Sequence, residues 1–210
     1  MDGPSRRARL ARSRLYLVVE ARPHGDDPRA LLEAALRGGV DVVQLRDKAL
    51  GDEALLTAAE SFRAVCLEHN ALFVLNDRPD LVEACGADGV HVGRSDTSVE
   101  EARALVGSDR LLGLSASTLE ELGDLAGADY AGVTAFATPT KEDAVAGGLE
   151  LLRVAARMLT VPWFAIGGID LSNVAEVLAA GAPGVAVVRA IRDADDPEAA
   201  ARKLLAALDR

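Results

Sequence analysis

The sequence predicts a single (β/α)8 barrel, with residues 1–14 as a basic lead-in to it. Three observations carry that expectation. Short aliphatic runs alternate with helical stretches along the whole chain, which implies parallel strands joined by right-handed crossovers. Eight such units fit within 210 residues. An open doubly wound sheet uses the same elements, but eight units in so short a chain favour a closed barrel. Polar residues also gather just after the aliphatic runs, where such a barrel keeps its chemistry.

The elements follow in order. Residues 15–19 form the first strand, and Asp27 with Pro28 marks a helix start, the aspartate as cap and the proline at the first helical position. That helix ends at Gly38-Gly39. A second strand covers 40–45 and a helix 52–69. Strands at 72–75, 89–92, 111–114 and 130–133 alternate with helices at 79–85, 99–106, 119–126 and 149–159. A segment containing Thr138-Pro139-Thr140-Lys141 lies between strand six and its helix. Strands at 162–166 and 184–188 complete the set, with helices at 173–180 and 197–208. The tetrads Gly-Ala-Asp-Gly at 86–89 and Gly-Ala-Pro-Gly at 181–184 supply tight helix-to-strand turns. No linker or low-complexity stretch divides the chain.

Composition narrows the function. Half the residues are apolar and only 3% are aromatic, the profile of an aliphatic sheet covered on both faces. A net charge of −10 argues against nucleic acid and anionic membranes as partners. It does not exclude phosphate, which needs only a local set of donors. No segment reaches the ~18–20 unbroken apolar residues of a membrane span. The arginine-rich start (Arg6, Arg7, Arg9, Arg12, Arg14) has no apolar stretch or cleavage site after it, so no signal peptide is expected and these arginines read as solvated. Cys66 and Cys85 have no metal-ligand spacing and read as reduced, buried thiols of a cytoplasmic protein. The oligomeric state is left open, a homo-oligomer included.

The strand ends carry two kinds of chemistry. Gln44, Arg46, Lys48, Asn76 and Lys141 form a donor-rich set suited to phosphate oxygens. Asp77 and Asp96, on neighbouring strand ends, can share one Mg²⁺ with substrate oxygens and water. The alternative for Asp77 is a helix cap ahead of Pro79. The second kind is glycine-rich: Gly167 and Gly168 after strand seven, and the stretch from Gly184 to Arg189, where backbone N–H groups can meet a phosphate. His91 reads as a histidine hydrogen-bonded inside the barrel. His24 and His69 read as surface residues, and Trp163 as barrel packing.

At these strand ends the sequence resembles the thiamine-phosphate synthase family. The stretches are VVQLRDK at 42–48, FVLNDRPDLVEACGADGVHVG at 73–93, LGLSAST at 112–118, ADYAGV at 128–133, TPTK at 138–141, FAIGGI at 164–169 and GAPGVAVVRAI at 181–191. They are specific together rather than singly. The resemblance implies a Mg²⁺-dependent transferase acting on small phosphorylated substrates. It would join a pyrimidine diphosphate to a thiazole phosphate and release diphosphate, through a pyrimidine-stabilised cation.

By motif position, the resemblance puts Gln44, Leu45, Arg46, Asp47, Lys48, Asn76 and Lys141 at the pyrimidine diphosphate. Asp77 and Asp96 would hold Mg²⁺, and Ser115 would touch the pyrimidine. Thr138, Pro139, Thr140, Gly168, Val188 and Arg189 would hold the thiazole phosphate. Ser115, Lys141 and Arg46 are the implied catalytic groups. This chain departs from the family's pattern at residues 133–137, where a Gly-Pro pair is usual, and at Arg94, Ser95, Ser117 and Arg189. Two other readings keep the same barrel: a thiazole tautomerase relative, and a non-catalytic thiamine-phosphate-binding protein. The first does not require the paired carboxylates or the diphosphate donors.

Overall fold

The computed structural model describes residues 1–125, 127–136 and 148–209. Its strands are β1 (Leu15–Val19), β2 (Val42–Leu45), β3 (Leu72–Asn76), β4 (Gly89–Val92), β5 (Leu111–Ala116), β6 (Tyr130–Thr134), β7 (Trp163–Ile166) and β8 (Val185–Val187). All pair in parallel and in sequence order, and β8 returns to β1 through Leu15↔Val185, Tyr16↔Ala186 and Leu17↔Val187. The expected (β/α)8 barrel is therefore the observed one.

The helices are α1 (Gly3–Leu10), α2 (Arg29–Arg37), α3 (Asp52–Glu68), α4 (Val82–Cys85), α5 (Val99–Val106), α6 (Leu119–Gly123), α7 (Gly148–Met158), α8 (Val174–Ala179), α9 (Arg189–Arg192) and α10 (Pro197–Leu208). Their starts follow local chemistry. Ser98 and Glu101 close a reciprocal capping box at α5, and Asp196 accepts from the Ala199 N–H ahead of α10. At α2 the expected cap Asp27 accepts from the Arg29 N–H at 2.8 Å, and the helix begins one residue later than predicted.

Alternation along each strand creates two apolar layers. Leu15, Leu17 and Val19 of β1 face outward under the helices, with Leu45, Phe73, Leu75, Leu112, Leu114 and Trp163. Tyr16 and Val18 face inward, with Val42, Leu72, Val74, Leu111, Tyr130, Phe164 and Ala186. The inner layer is filled by side chains, so the barrel interior is a packed core rather than a pore.

The N-terminal segment corrects the expectation of a solvated lead-in. Asp2 caps α1 by accepting from Ser5 N–H, and Leu10 at the other end is buried with the inner layer, plugging the bottom of the barrel. Arg6 is only 6% exposed. Its Nε meets Asp88 Oδ1 at 2.8 Å, while Arg7 Nε meets Asp129 Oδ1 at 2.7 Å. Arg6 and Arg7 are ion-paired because the bottom face is itself acidic, whereas Arg12 is exposed as expected. Asp41, Asp88 and Asp129 stand just before β2, β4 and β6. Each accepts a backbone N–H from the start of the preceding strand, at Leu15, Phe73 and Leu112 respectively.

Candidate functional site

The opposite end of the barrel holds a cavity of about 610 Å³. Its wall takes residues from the ends of all eight strands or the segments after them: Glu20, Gln44, Asn76, Gly93, Ser115, Thr134, Gly167 and Val188, in strand order. Convergence of this kind is what parallel closure imposes on residues distant in sequence.

One half of the mouth is built on β2, β3 and β4. Arg46 and Lys48 follow β2, and Lys48 Nζ lies 2.8 Å from Asp77 Oδ2 and 3.7 Å from Asp96 Oδ1. The two carboxylates thus converge on one cation. The hydrogen bond to Asp77 raises the Lys48 pKa, partly offset by burial. Asp77 has φ +58°, a left-handed conformation aspartate tolerates better than most residues, and its backbone N–H donates to His91 O at 2.8 Å. The alternative role for Asp77 as a helix cap is not observed: the turn at Pro79–Leu81 has no side-chain cap. Asp96 is fixed by the Gly93 N–H at 3.1 Å. A Cβ at Gly93 would come within 2.5 Å of Asp96 Oδ2, so the glycine permits this turn.

Gln44 is 4% exposed, and its Nε2 is buried with no hydrogen-bond partner among the described residues. A buried donor facing a cavity in this state calls for an acceptor supplied by a ligand. Leu45 and Asp47 fall elsewhere. Leu45 alternates outward into the layer beneath the helices, and Asp47 Oδ1 accepts from Ala49 N–H at 3.2 Å to shape the turn. Both border a smaller adjoining cavity of about 260 Å³, with Lys48, Asn76, Asp77 and Asp96. Thr138, Pro139, Thr140 and Lys141 lie outside the described residues.

The other half is built on β7, β8 and their following segments. Gly167 and Gly168 have φ of +109° and +59°. A Cβ on Gly167 would strike Phe136 O at 2.4 Å, so this turn requires glycine. Asn173 ties the turn by donating to Gly168 O at 2.8 Å. Val188 and Arg189 line the same wall, and Arg189 is exposed and close enough to Asp170 to help lower its pKa, after the larger effect of Ser172. Arg94 has a different task. It bonds Ser115 O, Glu121 O and both the carboxylate and carbonyl of Asp124, fastening the end of α6 to β5.

Glu20, Asp170, Arg192 and Asp193 of this wall escaped the sequence reading. Glu20 and Asp193 both ion-pair with Arg192, and Asp193 also meets His24 Nε2 at 3.1 Å. The available signal was positional, since Glu20 directly follows β1 as Arg46 follows β2. His91 lies inside the barrel as expected, with Nδ1 3.3 Å from Tyr130 Oη and Nε2 3.1 Å from Ser115 Oγ.

A family model for thiamine monophosphate synthase matches residues 15–191, the span from the first strand through the segment after β8. The chain belongs to that family. Relatives agree across nearly its whole length. A thiamine-phosphate synthase of Thermobifida fusca is 48% identical over 94% of this chain and 93% of its own length. One from Thermosynechococcus vestitus is 46% identical over 98% of this chain. The chain spans only 59% of that protein's length, and the same share of several other relatives that it matches. Among solved structures, thiamine phosphate pyrophosphorylase from Pyrococcus furiosus superposes with a TM-score of 0.86 at 33% identity, covering 97% of each chain. A 3-hexulose-6-phosphate synthase superposes at 0.61 with 23% identity, which shows the barrel alone.

Proposed function

We propose that this chain is a thiamine-phosphate synthase. It would join 4-amino-2-methyl-5-(diphosphooxymethyl)pyrimidine to thiazole phosphate, giving thiamine phosphate and diphosphate. The observation that carries the reading is the Lys48–Asp77–Asp96 cluster, which shares one cavity with Arg46, Asn76 and the unpartnered Gln44 amide.

The chemistry asks for what that half of the mouth contains. In the dissociative route the bond between the pyrimidine methylene carbon and the diphosphate oxygen breaks, and its electron pair leaves with the diphosphate. The thiazole nitrogen lone pair then forms the new C–N bond. Negative charge grows on the leaving oxygen, so fixed cationic donors aimed there lower the barrier. Arg46, Lys48 and Asn76 are assigned that task, with Lys141 as a fourth donor. Ser115 is assigned to the pyrimidine.

Asp77 and Asp96 fit Mg²⁺: they are hard oxygen donors that already share one cation, and no group of three or more acidic, His or Cys side chains that could hold a metal is present among the described residues. Substrate phosphate oxygens and water would therefore complete the shell. When bound, the ion would neutralise charge on the diphosphate. Gly168, Val188, Arg189, Thr138, Pro139 and Thr140 are assigned to the thiazole phosphate, holding the second reactant beside the first.

The test is diphosphate release by purified protein given both substrates and Mg²⁺. Release by the native chain, lost in Asp96→Ala with unchanged circular dichroism, supports the reading. No release from a folded native chain overturns it. Near-normal turnover in Asp96→Ala overturns the metal assignment.

A further inference from the structure

Three aromatic rings and a serine form a continuous polar chain through a largely apolar barrel. Tyr16 Oη lies 3.0 Å from Tyr130 Oη, and His91 bridges Tyr130 to Ser115 at 3.3 and 3.1 Å. Ser115 opens onto the cavity, whereas both tyrosines are buried in the inner layer. The chain is sterically provided for. A Cβ on Gly113 would lie 2.1 Å from Tyr130 Cζ and 2.5 Å from His91 Nδ1, and one on Gly132 would lie 3.2 Å from His91 Cε1. Two strand glycines thus make room for the two rings.

Donor and acceptor counting gives the chain a direction. Among the described residues, Tyr130 is the only hydrogen-bonding partner of Tyr16 Oη. A fully buried hydroxyl hydrogen left without an acceptor is costly, so Tyr16 donates and Tyr130 accepts. The Tyr130 hydrogen is then free for His91 Nδ1. A neutral imidazole accepting at Nδ1 carries its proton on Nε2, which donates to Ser115 Oγ. The serine's own hydrogen is left to point into the cavity. Burial raises both tyrosine pKa values, so both hydroxyls keep their hydrogens across the ordinary pH range. The reverse direction would strand the Tyr16 hydrogen in the apolar core.

We propose that the Tyr16–Tyr130–His91 chain occupies one lone pair of Ser115 and leaves its hydroxyl hydrogen to the cavity, so the site favours a ligand that presents an unprotonated acceptor atom there. His91, Tyr130 and Tyr16 are positioning residues, acting through Ser115. On the functional reading above, the acceptor is a neutral ring nitrogen of the aminopyrimidine, which takes the hydrogen that Ser115 has left to give.

The test reads the histidine directly. Two-dimensional ¹H–¹⁵N spectroscopy of histidine-labelled, ligand-free protein is assigned by substituting His24 and His69 in turn. The expected result is His91 with Nδ1 bare and Nε2 protonated at neutral pH. The opposite tautomer overturns the proposal. Tyr130→Phe keeps the ring packing and removes the hydroxyl, so the tautomer preference should disappear. Tyr16→Phe leaves Tyr130 with His91 as its acceptor, so the preference should persist; its reversal overturns the directional argument. In a binding titration, Tyr130→Phe should weaken the pyrimidine diphosphate roughly tenfold while leaving inorganic diphosphate unchanged. Equal weakening of both overturns the link from the chain to the ring. Failure of the native chain to bind the pyrimidine, with the expected tautomer present, counts against the functional reading and leaves the preset serine standing.

Discussion

Lys48→Met separates catalysis from stability. The substitution keeps the aliphatic stem and removes the charge that Asp77 and Asp96 share at 2.8 and 3.7 Å. An ion pair at the shorter distance is worth about 1.5 kcal/mol in bulk water. The Lys48 side chain is 55% exposed, and ordering it has an entropic cost, so the net contribution to folding is at most ~1 kcal/mol. For a chain of this size that is a melting shift of about 2–4 °C. The Lys48 pKa is raised above its usual 10.5 by Asp77, so its stabilising effect is complete below that pH. It is lost as pH rises through the folded-state value, and the melting difference between native and variant should close there. Removing one preorganised donor from a developing oxyanion, by contrast, costs about 10²–10³ in turnover. The assay pairs thermal melting with kcat/KM for diphosphate release. Turnover within a few-fold of native, or a loss of several kcal/mol in stability, would instead make Lys48 a structural ion-pair residue.

Other consequences follow from particular contacts. Arg6→Ala leaves Asp88 facing the barrel bottom without its cation, and should cost about 3 kcal/mol, or roughly 6–12 °C in melting temperature, with kcat unchanged. Gly113→Ala puts a methyl group against Tyr130 and His91, and should destabilise by about 2–3 kcal/mol in denaturant titration. Arg189→Ser should change the KM for thiazole phosphate more than that for pyrimidine diphosphate; equal changes would place Arg189 outside the thiazole site. Burial pushes the Cys66 thiol well up from its ordinary value, so alkylation of native protein near pH 8 should be slow and should accelerate on unfolding.

Most of the barrel was legible because parallel strands under helices are aliphatic throughout, and runs such as 89–92 and helices such as 99–106 and 197–208 fall at their expected bounds. The paired Asp77 and Asp96 were legible from their place after neighbouring strands. What escaped depends on distant partners. Arg6 and Arg7 of α1 look solvated until Asp88 and Asp129 arrive beneath them from 82 and 122 residues away. Leu45 sits in a donor-rich motif, yet strand alternation turns it outward. Arg94 looks like part of the Asp96 motif, but its bonds reach forward to Glu121 and Asp124. The direction of the Tyr16–Ser115 chain needs the count of buried acceptors, which only the closed barrel supplies.

Following both products together decides whether the chain couples the two substrates. Purified protein given the pyrimidine diphosphate, thiazole phosphate and Mg²⁺ should form thiamine phosphate and diphosphate in equal amounts, with neither product formed when one substrate is withheld. Diphosphate release without thiamine phosphate, or no release from a folded chain, would contradict the account.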